Sequence, residues 1–240
     1  MIERDPVTDF TMDGWTDLVR RLYDEGYRPV SFDAVEANKP HLVLRHDVHF
    51  SLDAALAIAR AEAELDVRTA YFIMVRSESY NIMEPETAAA LNEIRGLGHA
   101  IGLHLDASLY PTPKQMEIGA DAECRTLAAA TDCDIEVLSV HGLELGNGEE
   151  LPDRIAGRRN LSASFFTRTV GYCSDRDGAW SPTPPLSHPA VRDRKALQLA
   201  TEPLWWTGDG TERPADRMAR FLNGRRQWLD EKARARLAEE

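Results

Sequence analysis

The sequence predicts an α/β protein built on a parallel sheet, and three observations carry that expectation. Short apolar runs rich in β-branched and aromatic residues alternate with helix-period segments, in the order β-α-β-α-β-α-β. Two of those runs, 42–44 and 69–75 beyond Thr69, are continuously apolar, as strands buried on both faces must be. The connections are of ordinary length, and 240 residues with 43% hydrophobic content suffice for one such domain with a real core.

The elements follow in order. Residues 13–25 read as an amphipathic helix capped by Asp13, with Trp15, Leu18, Val19 and Leu22 on one face and Gly26 closing it. Residues 28–32 form a short strand, and 42–44, bounded by Pro40, a buried one. An alanine-rich helix spans 51–66 with Ser51 as N-cap and Leu52, Ala55, Leu56, Ala59 and Ala63 inward. A strand at 69–75, a helix at 85–97 stopped by Gly98, a strand at 99–104, a helix at 121–130 and a strand at 136–140 complete the regular half. Beyond it, 161–166 and 170–173 read as strands, 180–189 as a proline-rich loop and 196–200 as a last strand. Residues 213–240 read as a C-terminal helix with Met218, Phe221, Leu222 and Leu229 as its apolar stripe and a solvated basic face.

Charge and cysteine usage narrow the function classes. The net charge of −12, with both signs interspersed, opposes nucleic acid or an anionic membrane as partner. No stretch approaches the roughly 18 apolar residues of a membrane span. The charged start, Met1-Ile2-Glu3-Arg4-Asp5, has no apolar core of a secretory signal. Cys124, Cys133 and Cys173 have no metal or disulfide spacing and read as reduced core thiols, which predicts a cytoplasmic chain. The sequence does not set the oligomeric state.

The chemistry collects at strand ends. An apolar triplet, Leu42-Val43-Leu44, runs straight into Arg45-His46-Asp47-Val48-His49. Parallel sheets place their sites where strands end and loops begin. Ionisable residues recur at four such ends: Asp47 with His49, His104 with Asp106, His141, and Glu202. Residues two apart on a strand share a side, which pairs Asp47 with His49 and His104 with Asp106. His99 has the opposite parity to His104 and reads as a buried structural histidine. His41 and His188 lie beside prolines and read as bystanders.

Five segments carry a family resemblance: Leu44-Arg45-His46-Asp47-Val48-His49-Phe50-Ser51, Thr69-Ala70-Tyr71-Phe72, Gly98-His99-Ala100-Ile101-Gly102-Leu103-His104, Ser139-Val140-His141 and Pro203-Leu204-Trp205-Trp206. Together, in this order, they resemble the polysaccharide deacetylase (NodB-homology, carbohydrate esterase family 4-like) superfamily. The closer match is to its branch with a His-Asp-Val-Asp first motif. Tyr172-Cys173-Ser174-Asp175 with Trp180 fits the same branch, so the resemblance covers about residues 10–206. It implies a single-domain distorted (β/α)7 TIM-like barrel over 1–240. It also implies a divalent metal, usually zinc, and hydrolysis of an N-acetyl or related amide. In that family one Asp is the general base, a second Asp and two His hold the metal, and a late His is the acid.

Carried over by position, Asp47 matches the base and His104 the first metal histidine. His49 stands where the branch has its second Asp, Ser108 where the second metal histidine falls, and Glu202 where the late histidine falls. Zinc accepts imidazole in place of carboxylate, so His49 and His104 with Asp106 or Asp47 form a candidate metal set. Such a nitrogen and oxygen set suits Zn, Fe, Co or Ni better than Mg or Ca. The expected activity is hydrolysis of a C–N bond in a small N-acylated sugar or related amide. Asp47 is then the base, His141 or Glu202 the acid, and Asp175, Trp180 and Trp205 substrate contacts. Two alternatives are a non-haem iron centre on the same scaffold, and an inactive carbohydrate-binding domain using Trp180, Trp205 and Trp206 as stacking surfaces.

Overall fold

The computed structural model describes residues 9–142 and 150–238. A first helix, α1 (Met12–Asp24), leads through a two-residue strand, β1 (Arg28–Pro29), to the central strand β2 (His41–Val48). Then come α2 (Leu52–Glu64), β3 (Ala70–Ile73), α3 (Pro85–Gly96), β4 (Ala100–Asp106), α4 (Pro113–Thr131) and β5 (Val137–His141). The second half holds β6 (Arg154–Ile155), β7 (Arg158–Asn160), β8 (Gly171–Ser174), the short α5 (Pro189–Arg192), β9 (Leu197–Thr201) and α6 (Pro214–Ala238).

Seven strands run parallel in the order β7-β5-β4-β3-β2-β9-β8, with β6 antiparallel outside β7 and β1 beside the start of β2. The sheet curls into a distorted (β/α) barrel that stays open between its two edge strands, β6 and β8, which do not pair among the described residues. Side chains from inside the barrel hold that opening together. Arg45 Nη1 donates to Leu161 O at 3.0 Å, and Gln198 Nε2 donates to Phe166 O at 3.2 Å.

The expected strand at 161–166 is absent. Asn160 Oδ1 accepts from the backbone N–H of Ser162, and Ala163 N–H returns to Asn160 O. This local side-chain capture turns the chain away from the sheet, and a π-helical turn, Phe165–Thr169, follows. Two helices also start at residues other than those expected. Thr11, not Asp13, caps α1 through its hydroxyl on Gly14 N. Thr112 caps α4 with Pro113 in the first turn, where the missing N–H costs nothing.

The strand β2 is eight residues long and continues well past its apolar triplet. Its polar half is held by pairing on both sides, with β3 against Arg45–Val48 and β9 against Leu42–His46. Alternation then sends Val43, Arg45 and Asp47 into the barrel and Leu44, His46 and Val48 toward the helices. The barrel interior is closed by Val43, Ala70, Phe72, Val137, Leu161 and Phe166. Gly102 makes room for this plug, since a Cβ there would lie 2.7 Å from the Phe72 ring. Outside, one apolar layer packs under α2, α3 and α4 and another around Trp15, Trp205 and Trp206. On α6, Met218 and Phe221 pack against the second layer, whereas Leu222 and Leu229 are about half exposed, so only part of the expected stripe is buried. None of the described helices is long and apolar enough to cross a membrane.

Candidate metal centre

The C-terminal ends of β2, β4, β5 and β9 bring His49, His104, His141 and Glu202 to one place. His49 follows the end of β2, and His104 stands near the end of β4. These strands are not neighbours, because β3 lies between them. The imidazoles nevertheless meet, with His49 Nε2 2.9 Å from His104 Nε2 and 2.9 Å from His141 Nδ1. The three candidate ligand nitrogens all lie within 4.8 Å of one another.

Each neighbouring group constrains these rings. Glu202 Oε2 accepts from both the backbone N–H of His49 at 2.9 Å and its Nδ1–H at 2.8 Å. Glu202 Oε1 accepts from Leu204 N at 3.1 Å. Both oxygens are thus engaged by N–H donors, an arrangement for a hydrogen-bond acceptor rather than a proton donor. His104 Nδ1 lies 2.6 Å from Ser139 Oγ. Asp47 is clamped as well, with Oδ2 on Arg45 Nη2 at 3.0 Å and Oδ1 accepting from Ser139 Oγ at 3.1 Å.

Electrostatics follow from these contacts. Burial pushes the Asp47 carboxyl up, but the Arg45 charge, His104, His49 and the Ser139 hydrogen bond outweigh it and hold it at about 2. Burial lowers His49, yet the hydrogen bond and charge of Glu202, with Asp47, raise it overall. Burial drives His104 well below the usual imidazole value, and burial with the nearby His49 charge lowers His141. Two rings that resist protonation therefore face a third whose Nδ1–H is already committed to Glu202. Nitrogen lone pairs 2.9 Å apart repel unless a shared proton or a cation lies among them.

The remaining site candidates go elsewhere. Asp106 Oδ1 accepts from Ser108 N at 2.9 Å and Ser108 Oγ at 2.6 Å, closing its own turn rather than facing the histidines. Asp47 points at Arg45 and Ser139, and neither carboxylate belongs to the converging nitrogen set. Asp175 is 2% exposed, and its oxygens accept from Glu202 N and Trp206 Nε1. Burial raises its carboxyl well above the ordinary value, against the hydrogen bonds from Glu202 N and Trp206. Trp205 is buried in the outer layer and Trp180 packs against that layer beside Phe10 and Trp206. Trp205 and Trp206 sit on a single 3-10 turn, Pro203–Trp206, so strand alternation does not apply and both are buried. Neither Asp175 nor Trp205 offers a surface to a ligand. Ser139 was not among the residues the sequence singled out as functional; its register opposite His104 is the signal, and register is a property of the sheet.

The chain matches no protein-family model and no curated protein. It is similar to several solved structures at low identity. A carbohydrate esterase family 4 pseudoenzyme from Bacillus anthracis matches 85% of this chain and 65% of its own length, with 13% identity and a TM-score of 0.46. A family 4 carbohydrate esterase from the same organism matches 89% of this chain and 85% of its own, with 12% identity and a TM-score of 0.45. A Streptococcus pyogenes deacetylase in complex with acetate matches 87% and 85%, with 13% identity and a TM-score of 0.44. The chain thus spans a little under two thirds of the pseudoenzyme's length.

Proposed function

We propose that this protein is a metal-dependent hydrolase whose centre is held by His49, His104 and His141. The observation that carries the reading is the convergence of three imidazole nitrogens within 4.8 Å. The donor set fits a divalent ion, because its rings are backed by Glu202 and Ser139, the outer hydrogen bonds that metal-bound histidines need. Three histidines with an open fourth position suit hydrolytic zinc, with cobalt, nickel or iron as chemically related occupants. A non-haem iron centre calls for two histidines and one carboxylate, whereas the converging set among the described residues is three histidines with no carboxylate. A stacking surface for sugars finds no support in tryptophans that are buried or packed in the outer layer.

When bound, zinc would polarise an acyl carbonyl and lower the pKa of a coordinated water. The chain's own residues divide the rest. Glu202 sets the His49 ring, anchoring both its backbone N–H and its Nδ1–H. Asp175 holds the backbone at Glu202 and so sets that carboxylate in turn. Asp47 stays ionised at neutral pH and keeps acceptor capacity beyond its two bonds, which leaves it as the proton acceptor of the site. His141, expected with Glu202 as a candidate acid, is instead the third ligand. The substrate class, a small N-acylated sugar or related amide, is supported by the motif resemblance at 44–51, 98–104 and 139–141.

The test is direct. Protein loaded with zinc and dialysed should retain about one ion per chain and release carboxylate from a panel of N-acetylated sugars and simple amides. Retention of no metal would remove the centre. Metal without any amide turnover would leave a binding site and remove the hydrolase.

A further inference from the structure

We propose that Ser139 is a positioning residue that sets the His104 tautomer, holding its proton on Nδ1 so that Nε2 is the atom offered to the site. The inference rests on the reading of His104 as a ligand, and its chemistry is a chain of hydrogen bonds with only one consistent direction.

The sheet register puts the two residues together. His104 on β4 lies opposite Ser139 on β5, and Ser139 and His141, two apart on the same strand, face the barrel interior together. Ser139 is fully buried, so no water competes for its hydroxyl. That hydroxyl has a single hydrogen and two lone pairs. One neighbour is Asp47 Oδ1 at 3.1 Å, an oxygen of the carboxylate that Arg45 Nη2 pairs with at 3.0 Å, and so an acceptor. The other is His104 Nδ1 at 2.6 Å.

If the hydrogen pointed at His104, the hydroxyl oxygen would face the carboxylate with no hydrogen between them inside the protein. The largely enclosed carboxylate would lose a donor and leave that oxygen facing another oxygen unpaired. With the hydrogen on the Asp47 side, the hydroxyl accepts from His104 Nδ1–H, and both contacts of the hydroxyl have a hydrogen between their heavy atoms. Arg45 fixes the far end, donating Nη2 to Asp47 Oδ2 at 3.0 Å while Nη1 is held by Leu161 O. The direction of the whole run, Arg45 to Asp47 to Ser139 to His104, is therefore set from a permanent cation. His104 Nε2 is left bare toward His49 Nε2, 2.9 Å away.

Two readouts test this, and the first requires no variant. In the metal-free wild-type protein, nitrogen chemical shifts of the His104 ring should report Nδ1–H with Nε2 unprotonated. An Nε2–H ring would overturn the proposal whatever the metal does. Ser139→Ala removes the hydroxyl at little steric cost. It should shift His104 toward a mixture of tautomers and weaken zinc binding, read by chelator competition, by about 10–100-fold, the range for loss of an outer hydrogen bond to a ligand. Ser139→Thr, which returns a hydroxyl, should recover most of that affinity. Zinc affinity within about twofold of wild type in Ser139→Ala would overturn it too. If wild type binds no zinc, the metal reading fails on its own, and the tautomer measurement still decides the role of Ser139.

Discussion

His46 and His49 lie three residues apart at one end of β2, and they belong to two unlike clusters. His46 points out of the barrel into a closed network. Its Nε2 meets Glu62 Oε1 at 2.9 Å and its Nδ1 meets Thr201 Oγ1 at 2.7 Å, while its ring stacks on Tyr71. Glu62 is fully buried, and its other oxygen accepts from Thr69 Oγ1 and Tyr71 OH. His99 completes the group, with Nε2–H on Ala59 O and Nδ1 accepting from Thr69 N. No ring nitrogen in this cluster lacks a partner of its own. His49 points into the barrel mouth, where ring nitrogens face ring nitrogens. Both clusters are built from histidines and carboxylates. What separates structural support from a candidate site is whether the donors and acceptors balance.

The comparison can be broken at either cluster. The largest effect belongs to the closed network, because removing one partner strands a buried charge. His46→Ala should lower unfolding free energy by about 3–5 kcal/mol in a denaturant titration. It should leave zinc affinity within a few-fold of wild type. A loss of zinc binding in the folded variant would show that the two clusters are coupled.

At the open cluster the expectations reverse. His49→Ala and His104→Ala should each cut zinc affinity by more than about 100-fold, beyond the range of outer-shell changes. Their thermal stability without metal should fall less than that of His46→Ala, since Glu202 Oε2 keeps the His49 backbone N–H and opposed ring nitrogens are relieved. Stoichiometric metal in both variants would place the ion elsewhere.

Acid separates the clusters further. Burial raises the Glu62 carboxyl, but the charge and hydrogen bond of His46, the Tyr71 hydrogen bond and the charge of His99 outweigh it and hold it below the ordinary value. A carboxyl depressed in the folded state contributes stability that is complete above the unfolded value of about 4.3 and is lost as pH falls through the folded value. Glu62→Gln should therefore be less stable than wild type at pH 7 and lose less stability than wild type on going from about pH 5 to about pH 3. Parallel curves over that window would exclude Glu62 as a source of acid sensitivity.

The smallest effect concerns Asp106, which closes a turn with Ser108. Asp106→Asn keeps the acceptor oxygen, and zinc affinity should stay within about twofold. A tenfold loss in chelator competition would return Asp106 to the metal shell.

Much of the architecture is legible in the amino-acid sequence. The parallel α/β class follows from strands apolar on both faces alternating with helix-period segments, since only burial between layers suits such strands. Ser51 as a helix cap, His99 as a buried structural histidine and the strand ends at His49, His104, His141 and Glu202 also follow from local chemistry and two-residue periodicity. The segment after Asn160 is not legible there, because a single side-chain hydrogen bond competes with strand pairing and periodicity does not record it.

Residue types and spacing thus determined that ionisable groups would gather at the carboxyl end of a parallel sheet. Tertiary structure alone decided what each of them does there. Asp106 bends back on its own turn, Asp47 is taken by Arg45 and Ser139, and Glu202 backs His49. The physical reason is that a side chain's role depends on which donor or acceptor reaches it first. Those partners come from strands as far apart in sequence as β2 and β9, whose pairing no local pattern encodes.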